Sequence, residues 1–519
     1  MSPLAEHSIS LLMSWPWVFP FTPIIWLLGY CVYNAVFHPL AKYPGPFVAK
    51  FTILRATYHA WKGDVHLDTW RCHQLYGPVV RYGPDRLVFS SPNAVRDIYS
   101  VTSNVSKDPT YAALGEDKLN LVSLVNTKEH ARRRKMIASS FSFSNVKAFE
   151  PAMLEYVQEF LDVLWPPSQS LRSSWGPPTD ISSACCHLTF DVMTDFLFGL
   201  KYDLLRDSTW RHLIHDIEVT NVRLYVLAHA KFLYLGRVDK QLFPAAVRGS
   251  RGFLHFINRV LGDFDAGNLS SHVRPFTRFT EAKDKNGQPL LTAKQISHEC
   301  AMFMTAAQDT TSITLRAIIF YLSRYTHAYA KLVQEIRTTF RPGEAITADS
   351  KLESCVYLQA CIKETMRISP AVPATAMYRH VNPGGQTVDG DHLPAGCYVA
   401  AGIYIAHHNE DIFPRPFEYI PERWIVDEHT TQEQLDMRLK MWLPFSIGPR
   451  ACIGKTFAQT LISVTVASLV NQYDFRVPDG YLFGENGGTN PRTFQLQDHI
   501  VATGVGPVVQ LRRQSEVVP

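Results

Sequence analysis

One segment constrains this chain more than any other: Phe445-Ser-Ile-Gly448-Pro-Arg450-Ala-Cys452-Ile-Gly454, with apolar residues at helical period continuing from Ile453 to Leu469. Five fixed residues at this spacing arise by chance about once in 10,000 chains of this length. A cysteine taken alone is usually a small buried hydrophobe. This one has glycines on either side, which let the backbone come close to a flat ligand. It also immediately precedes a helix, whose positive end and free N–H groups stabilise a thiolate.

The other cysteines add nothing of the kind. There are nine in all, scattered and odd in number, with no CxxC pair and no His/Cys cluster at zinc spacing. That argues against a disulfide framework and suits a reducing compartment. The 519 residues are 46% hydrophobic, and no break in composition divides them into several units. One large domain over residues 41–519 is therefore expected behind an appendage at 1–40. A net charge of +4, from nearly balanced acids and bases, gives no reason to expect nucleic acid as a partner.

From His7 through Ala41 there is no Asp, Glu, Lys or Arg, and the apolar stretch Leu11 to Phe37 exceeds the roughly 20 residues a membrane span needs. Pro16, Pro20 and Pro23 interrupt its first half, so continuous helix is expected from near Pro23. Trp15, Trp17, Trp26, Tyr30 and Tyr33 suit a headgroup region. A cleaved signal peptide would need a basic start and a small-residue cleavage site, and neither is evident. Lys42, Lys50, Arg55 and Lys62 follow the stretch and no Lys or Arg precedes it, which puts the body on the cytoplasmic side of a retained anchor. Pro44-Gly45-Pro46 then reads as a stiff elbow between anchor and body.

The body reads mainly α. Helical period runs through residues 146–164, 182–200, 296–324 and 357–368. β signals gather in two patches. Val79 to Ser90 alternates around Gly83-Pro84 as a hairpin would. Met377 to Ile405 is rich in turns, with Pro383-Gly384-Gly385, Asp389-Gly390 and Pro394-Ala395-Gly396. A large helical part with a smaller β-rich part to one side is expected.

Three further motifs are ambiguous taken singly. Glu364-Thr-Met-Arg367 matches a pattern met about once by chance in such a chain, and its bland reading is a surface pair worth about 0.3 kcal/mol. Ala306-Ala-Gln-Asp309-Thr310-Thr311 puts an acid inside an otherwise apolar helix, which is costly without a partner or a task. A Thr there usually bonds back to the i−4 carbonyl. His130-Ala-Arg-Arg-Arg134-Lys is a basic run whose simplest reading is a solvated helix face.

In this order the motifs resemble those of the cytochrome P-450 family, from the Pro44-Gly45-Pro46 elbow to about Leu469. The resemblance implies that family's fold behind an N-terminal transmembrane helix, with haem b as cofactor and Cys452 as its axial thiolate. Phe445 would pack beside the sulfur, in the loop that ends at Gly454, and Arg450 would pair with a haem propionate. Glu364 and Arg367, with Arg423 of Pro421-Glu-Arg423-Trp424, would form a buried network holding that loop. Thr310 would steady iron-bound dioxygen, and Asp309 would admit protons through water. His130 stands where the family has Trp, with Arg134 in register for a propionate, and Arg379 matches another propionate-binding Arg. Arg132, Arg133 and Lys135 would then face outward. Ala307 replaces a Gly common in the family and adds a methyl group above the iron.

The implied reaction is activation of O₂ and oxidation of an unactivated C–H bond, with the thiolate favouring O–O cleavage. The chain has no Gly-x-Gly-x-x-Gly after a strand and no room for a fused flavoprotein. Resemblance to membrane-bound eukaryotic members implies NADPH–cytochrome P-450 reductase as electron donor. It would dock near Arg132, Arg133, Lys135, Arg438 and Lys455, at an endoplasmic reticulum membrane spanned once, with the body in the cytoplasm. The implied pocket takes in residues 105–125, 303–307, 371–376 and 490–502, mostly apolar or small, so a lipophilic small molecule is the expected substrate. His38-Pro-Leu-Ala-Lys-Tyr-Pro-Gly-Pro resembles filamentous-fungal members, many of which tailor secondary metabolites such as terpenoids, polyketides or alkaloids. Two rival readings stand beside this one. A haem-thiolate isomerase or dehydratase would have no use for the protons of Asp309 and Thr310. A non-catalytic membrane haem sensor would not need a buried acid–alcohol pair.

Overall fold

A computed structural model describes residues 21–111, 119–166, 174–265, 275–373, 378–481 and 492–514. The expected helices are present, and local chemistry sets their ends. The second stops at Phe198 because Gly199 takes the left-handed conformation, at φ 69°. Every residue from Ala184 to Phe198 in it is buried, as in a helix surrounded by others. The central helix Ala293–Arg324 starts ahead of its apolar period because Thr292 and Gln295 cap each other's backbone reciprocally. It lies against Ser182–Phe198, and Phe143–Leu164, Val356–Ile368 and Lys455–Gln472 pack round the pair. The rings of Phe149, Phe196 and Phe457 join three of these helices at centroid distances of 5.2 and 4.5 Å. Phe457 thereby fixes the first turn of the helix that follows Cys452.

Val79–Gly83 and Arg86–Phe89 form the expected hairpin. Tyr398–Ala401 joins it in parallel, and Arg379–Val381 and Val105–Lys107 complete an antiparallel edge, giving five strands. A second hairpin, Gln386–Val388 with Asp391–Leu393, turns at Asp389 and Gly390, whose φ of 52° and 86° suit a two-residue turn. Met377, the start of the turn-rich patch, lies outside the described residues. No strand is expected from the sequence beyond residue 469, yet Tyr473–Arg476 pairs with Val508–Arg513, and Gln497–His499 with Val501–Thr503. These segments are too short for periodicity to show.

The elbow is part of the fold and not a free spacer. The Arg81 N–H donates to the Pro44 carbonyl at 2.7 Å. A Cβ at Gly45 would lie 2.3 Å from the Arg81 carbonyl oxygen, so only glycine fits. Arg81 is fully buried and donates onward to the carbonyls of Asn34 and Pro84 at 2.8 and 2.6 Å. These bonds dock the end of the first helix, which runs from Thr22 to Val32 and continues as a π turn over Tyr33–Phe37. No residue of Thr22–Val32 is buried, and Ile25, Trp26 and Leu28 are more than half exposed. Among the described residues no helix is long and apolar enough to cross a membrane. Leu11 to Pro20, the first part of the expected span, lie outside the described residues.

Candidate active site

The Cys452 loop is closed by the cysteine's own N–H, which donates to the Phe445 carbonyl at 2.8 Å. Ser446 and Gly448 bend it, with φ of 55° and 74°. Gly448 meets a demand other than the one the sequence suggested. A Cβ there would fall 1.9 Å from the Tyr99 carbonyl oxygen, so the glycine seats the loop on the protein and not on a ligand. Gly454 does leave room beside the sulfur, since a Cβ would lie 3.9 Å from Sγ. Burial pushes the Cys452 thiol up, while the N–H groups of Gly454 and Lys455 and the charges of Arg134 and Lys455 oppose it. Of the nine cysteines, none is paired and Cys452 alone is exposed. It lines a cavity of about 530 Å³.

Phe445, Gly454, His130, Arg134, Arg379 and Arg450 line the same cavity, as do Asp309 and Thr310. Lys107 joins them from the expected 105–125 wall, although nothing in the sequence singles it out as one of the basic residues of the site. Lys107 and Arg379 are direct partners across two antiparallel strands, so their side chains rise from one face of the sheet. Burial pushes Lys107 well down, and Arg379 and Arg450 add to the effect. Burial, then Arg379, takes Arg450 down to about 10. Burial, then Arg450, Lys107 and Arg134, takes His130 down to about 3, so its ring is neutral and carries one N–H donor. The charges acting on Lys107 and His130 are all cationic. The Lys107 amine donates to the Val122 carbonyl, and an anion in the cavity would favour the charged form that burial and its cationic neighbours oppose. A ligand with carboxylates at this end and a thiolate-seeking metal at the other satisfies both, and haem is such a ligand. Arg450 has a second role. It donates to the carbonyls of Leu124 and Val125 at 2.8 and 3.1 Å, pinning that segment to the cysteine loop.

On the central helix, Thr310 bonds back to the Ala306 carbonyl at 2.9 Å, as expected of a Thr there. The helix runs unbroken through Ala307. Asp309 is buried, and the Asn221 amide donates to its Oδ2 at 3.0 Å. Burial, then the nearby Glu218, pushes the Asp309 carboxyl up to about 7.

Glu364, Arg367 and Arg423 meet as expected, outside the cavity wall and buried. Arg367 grips Glu364 with two bonds of 2.8 and 2.9 Å, and Arg423 reaches it at 3.2 Å. Burial pushes the Glu364 carboxyl up, but the two arginines outweigh it and hold the group below its usual range. Two further partners were not legible in the motif. Trp424 donates to Glu364 at 2.9 Å. His407 accepts the Leu443 N–H at Nε2, at 2.8 Å, so its Nδ1 carries the hydrogen and donates to the Arg367 carbonyl at 3.0 Å. That imidazole links the ion network to the chain just before Phe445.

Some expectations need correction. Arg133 does not face outward: it is buried and paired with Glu299 at 2.8 Å and Glu129 at 2.7 Å. Arg438 is buried too, its guanidinium spent on the Arg423 carbonyl and Thr430. Neither can dock a partner. Lys135 and Lys455 are exposed, and Arg132 is half-exposed on Glu129. The cavity wall takes in the expected Thr110, Tyr111, Phe303, Ala371 and Ile500, and adds residues of His212–His229 and Pro244–Asp265 that the sequence did not mark. Residues 112–118, 374–376 and 490–491 of the expected wall lie outside the described residues.

A single exposed cysteine at a helix start, facing a cavity with buried cations, defines a haem-thiolate protein, and comparison agrees. A cytochrome P450 family model matches residues 42–482. The cytochrome P450 monooxygenase poxM of Penicillium oxalicum is 39% identical over 94% of this chain and 93% of its own length. The cytochrome P450 monooxygenases atnE of Emericella nidulans and AKT7 of Alternaria alternata are 34% and 33% identical, each over 94% of this chain. The chain belongs to the cytochrome P450 family. It is a monooxygenase, and its cofactor is haem iron held by a cysteine thiolate.

Proposed function

We propose that Cys452 is the thiolate ligand and that the chain oxidises a lipophilic small molecule held in the cavity, as a tailoring step in fungal secondary metabolism. The observation that carries this is the convergence of Cys452, four basic side chains and the Asp309–Thr310 pair on one cavity. Bound haem supplies O₂ binding and O–O cleavage. The protein does the rest. Arg134, Arg379, Arg450 and Lys107 hold the propionates, with the His130 N–H beside them, and Phe445 and Gly454 flank the sulfur. Thr310 orients oxygen, and Asp309, poised at about 7, moves protons into the cavity at neutral pH. Phe141, Met302, Phe303, Val372 and Ile500 line the remaining wall and exclude water, which favours an apolar substrate over a charged one.

Electrons come from NADPH through cytochrome P450 reductase, docked at Arg132, Lys135 and Lys455. The apolar Thr22–Val32 helix belongs to a single membrane anchor that holds the chain at the endoplasmic reticulum with its body in the cytoplasm. The exposed Phe47, Leu54, Trp61, Phe232 and Leu235 support contact with a lipid surface. The decisive experiment is the spectrum of reduced protein under carbon monoxide. The thiolate-specific Soret band is expected, and Cys452→Ser should abolish it together with turnover. Retention of both in that variant would sink the assignment.

A further inference from the structure

Asp309 is buried on the central helix, and one side chain of His212–His229 reaches it directly: Asn221, at 3.0 Å. Glu218 stands one turn before Asn221 and shares its helix face. Its charge acts on Asp309. Arg316, two turns beyond Asp309 on the central helix, acts in turn on Glu218, and the carbonyls of Gly504 and Gly506 hold its guanidinium. Glu218 is half-buried, whereas Asp309 is buried and lines the cavity. Glu218 thus belongs to the helix turn that reaches Asp309 and is the more exposed of the two carboxyl groups, with Asn221 bracing the inner one.

We propose that Glu218 relays protons to Asp309, and that Asn221 is the positioning residue that keeps the receiving carboxylate turned towards it. This rests on the reading of Asp309 as the acid that serves the oxygen chemistry. Monooxygenation consumes O₂, two electrons and two protons and releases one water besides the oxidised product. For each proton, the Glu218 O–H bond breaks as a bridging water is protonated, and that water gives a proton to the Asp309 carboxylate. Asp309 releases it into the cavity, and solvent reprotonates Glu218.

The groups facing the pair are few. Cys186, from Ser182–Phe198, lies near both, and burial pushes its thiol up to about 11, so it stays neutral. Arg316 and His215 face Glu218. Glu218 is therefore the one carboxylate acting on Asp309 among the described residues.

Two measurements test the relay in the haem-loaded protein. The first is an infrared pH titration of the carboxylic acid band that Asp309→Asn removes, which needs no turnover. Its midpoint, about 7 in the parent, should move down in Glu218→Gln as the like charge is lost. The second is reductase-supported turnover. Glu218→Gln should cut product per NADPH about tenfold, divert the oxygen to hydrogen peroxide and raise the solvent isotope effect. Glu218→Asp should restore most of the coupling, and Asn221→Ala should lower it while leaving the outer carboxyl in place. An unchanged isotope effect in Glu218→Gln overturns the relay, whether or not the infrared midpoint moves. An unmoved midpoint also overturns it. The thiolate band under carbon monoxide, recorded for every variant, separates these outcomes from failure of the haem assignment itself.

Discussion

Asp309 shows at residue scale what burial does to an acid. Held at about 7 in the folded chain and near 4 when unfolded, it binds its proton more tightly folded. Stability is therefore lost as pH rises through that window, by about 4 kcal/mol at most, and the loss is complete above it. Asp309→Asn has no such proton to lose. Chemical denaturation of both proteins between about pH 5 and 8 should show the variant gaining on the parent as pH rises; a constant difference would refute the burial argument. Lys107 makes a complementary case. If Lys107 holds a propionate as proposed, Lys107→Met removes one charge-assisted bond and haem should leave about tenfold faster, as read by transfer to apomyoglobin. The carbon monoxide spectrum should stay unchanged. Cys452 was legible because its neighbours are contiguous in sequence. Lys107 was legible only as part of the expected wall; its place opposite Arg379 was not, because that partner is more than two hundred residues away and only strand pairing brings it opposite.

At the scale of elements, the Glu364 network reaches the cysteine loop through His407. The order of motifs made Glu364, Arg367 and Arg423 legible, but a histidine buried in a five-residue helix, Ile403–His407, has no sequence mark. Its ring joins two backbone segments, so His407→Ala leaves the Leu443 N–H and the Arg367 carbonyl without a partner. The expected cost is about 1–3 kcal/mol each way, seen as a lower melting temperature with faster haem loss. Stability unchanged by the substitution would show that the link is not used. The hairpin tip at Ile500 behaves differently. A β-branched residue at φ 75° is strained by about 1–3 kcal/mol. Ile500→Gly relieves that strain as it removes an apolar wall, so its net effect on melting should correspond to within about 1 kcal/mol, against 2–5 for a large-to-small change in the core.

Across the whole molecule, the surface left for an electron donor is narrower than the count of basic residues implied, because Arg133 and Arg438 serve the interior. Replacing Lys135 and Lys455 with Glu should raise the reductase concentration needed for half-maximal turnover, most clearly at low salt where surface charge is least screened. Arg438→Glu should instead unfold the chain, since it buries an acid among carbonyls. The helical architecture was readable from long periodic stretches, whereas the terminal strands and their contacts were not. The docking of the first helix on the body was not readable either. Arg81 takes an acceptor from Asn34, so a chain shortened to start at residue 41 loses one of the two carbonyls that hold its guanidinium and the cover over it. Trimming for solubility has its safe limit upstream of Asn34, and if that first helix enters a bilayer as proposed, whatever tilts it will turn the rest of the enzyme with it.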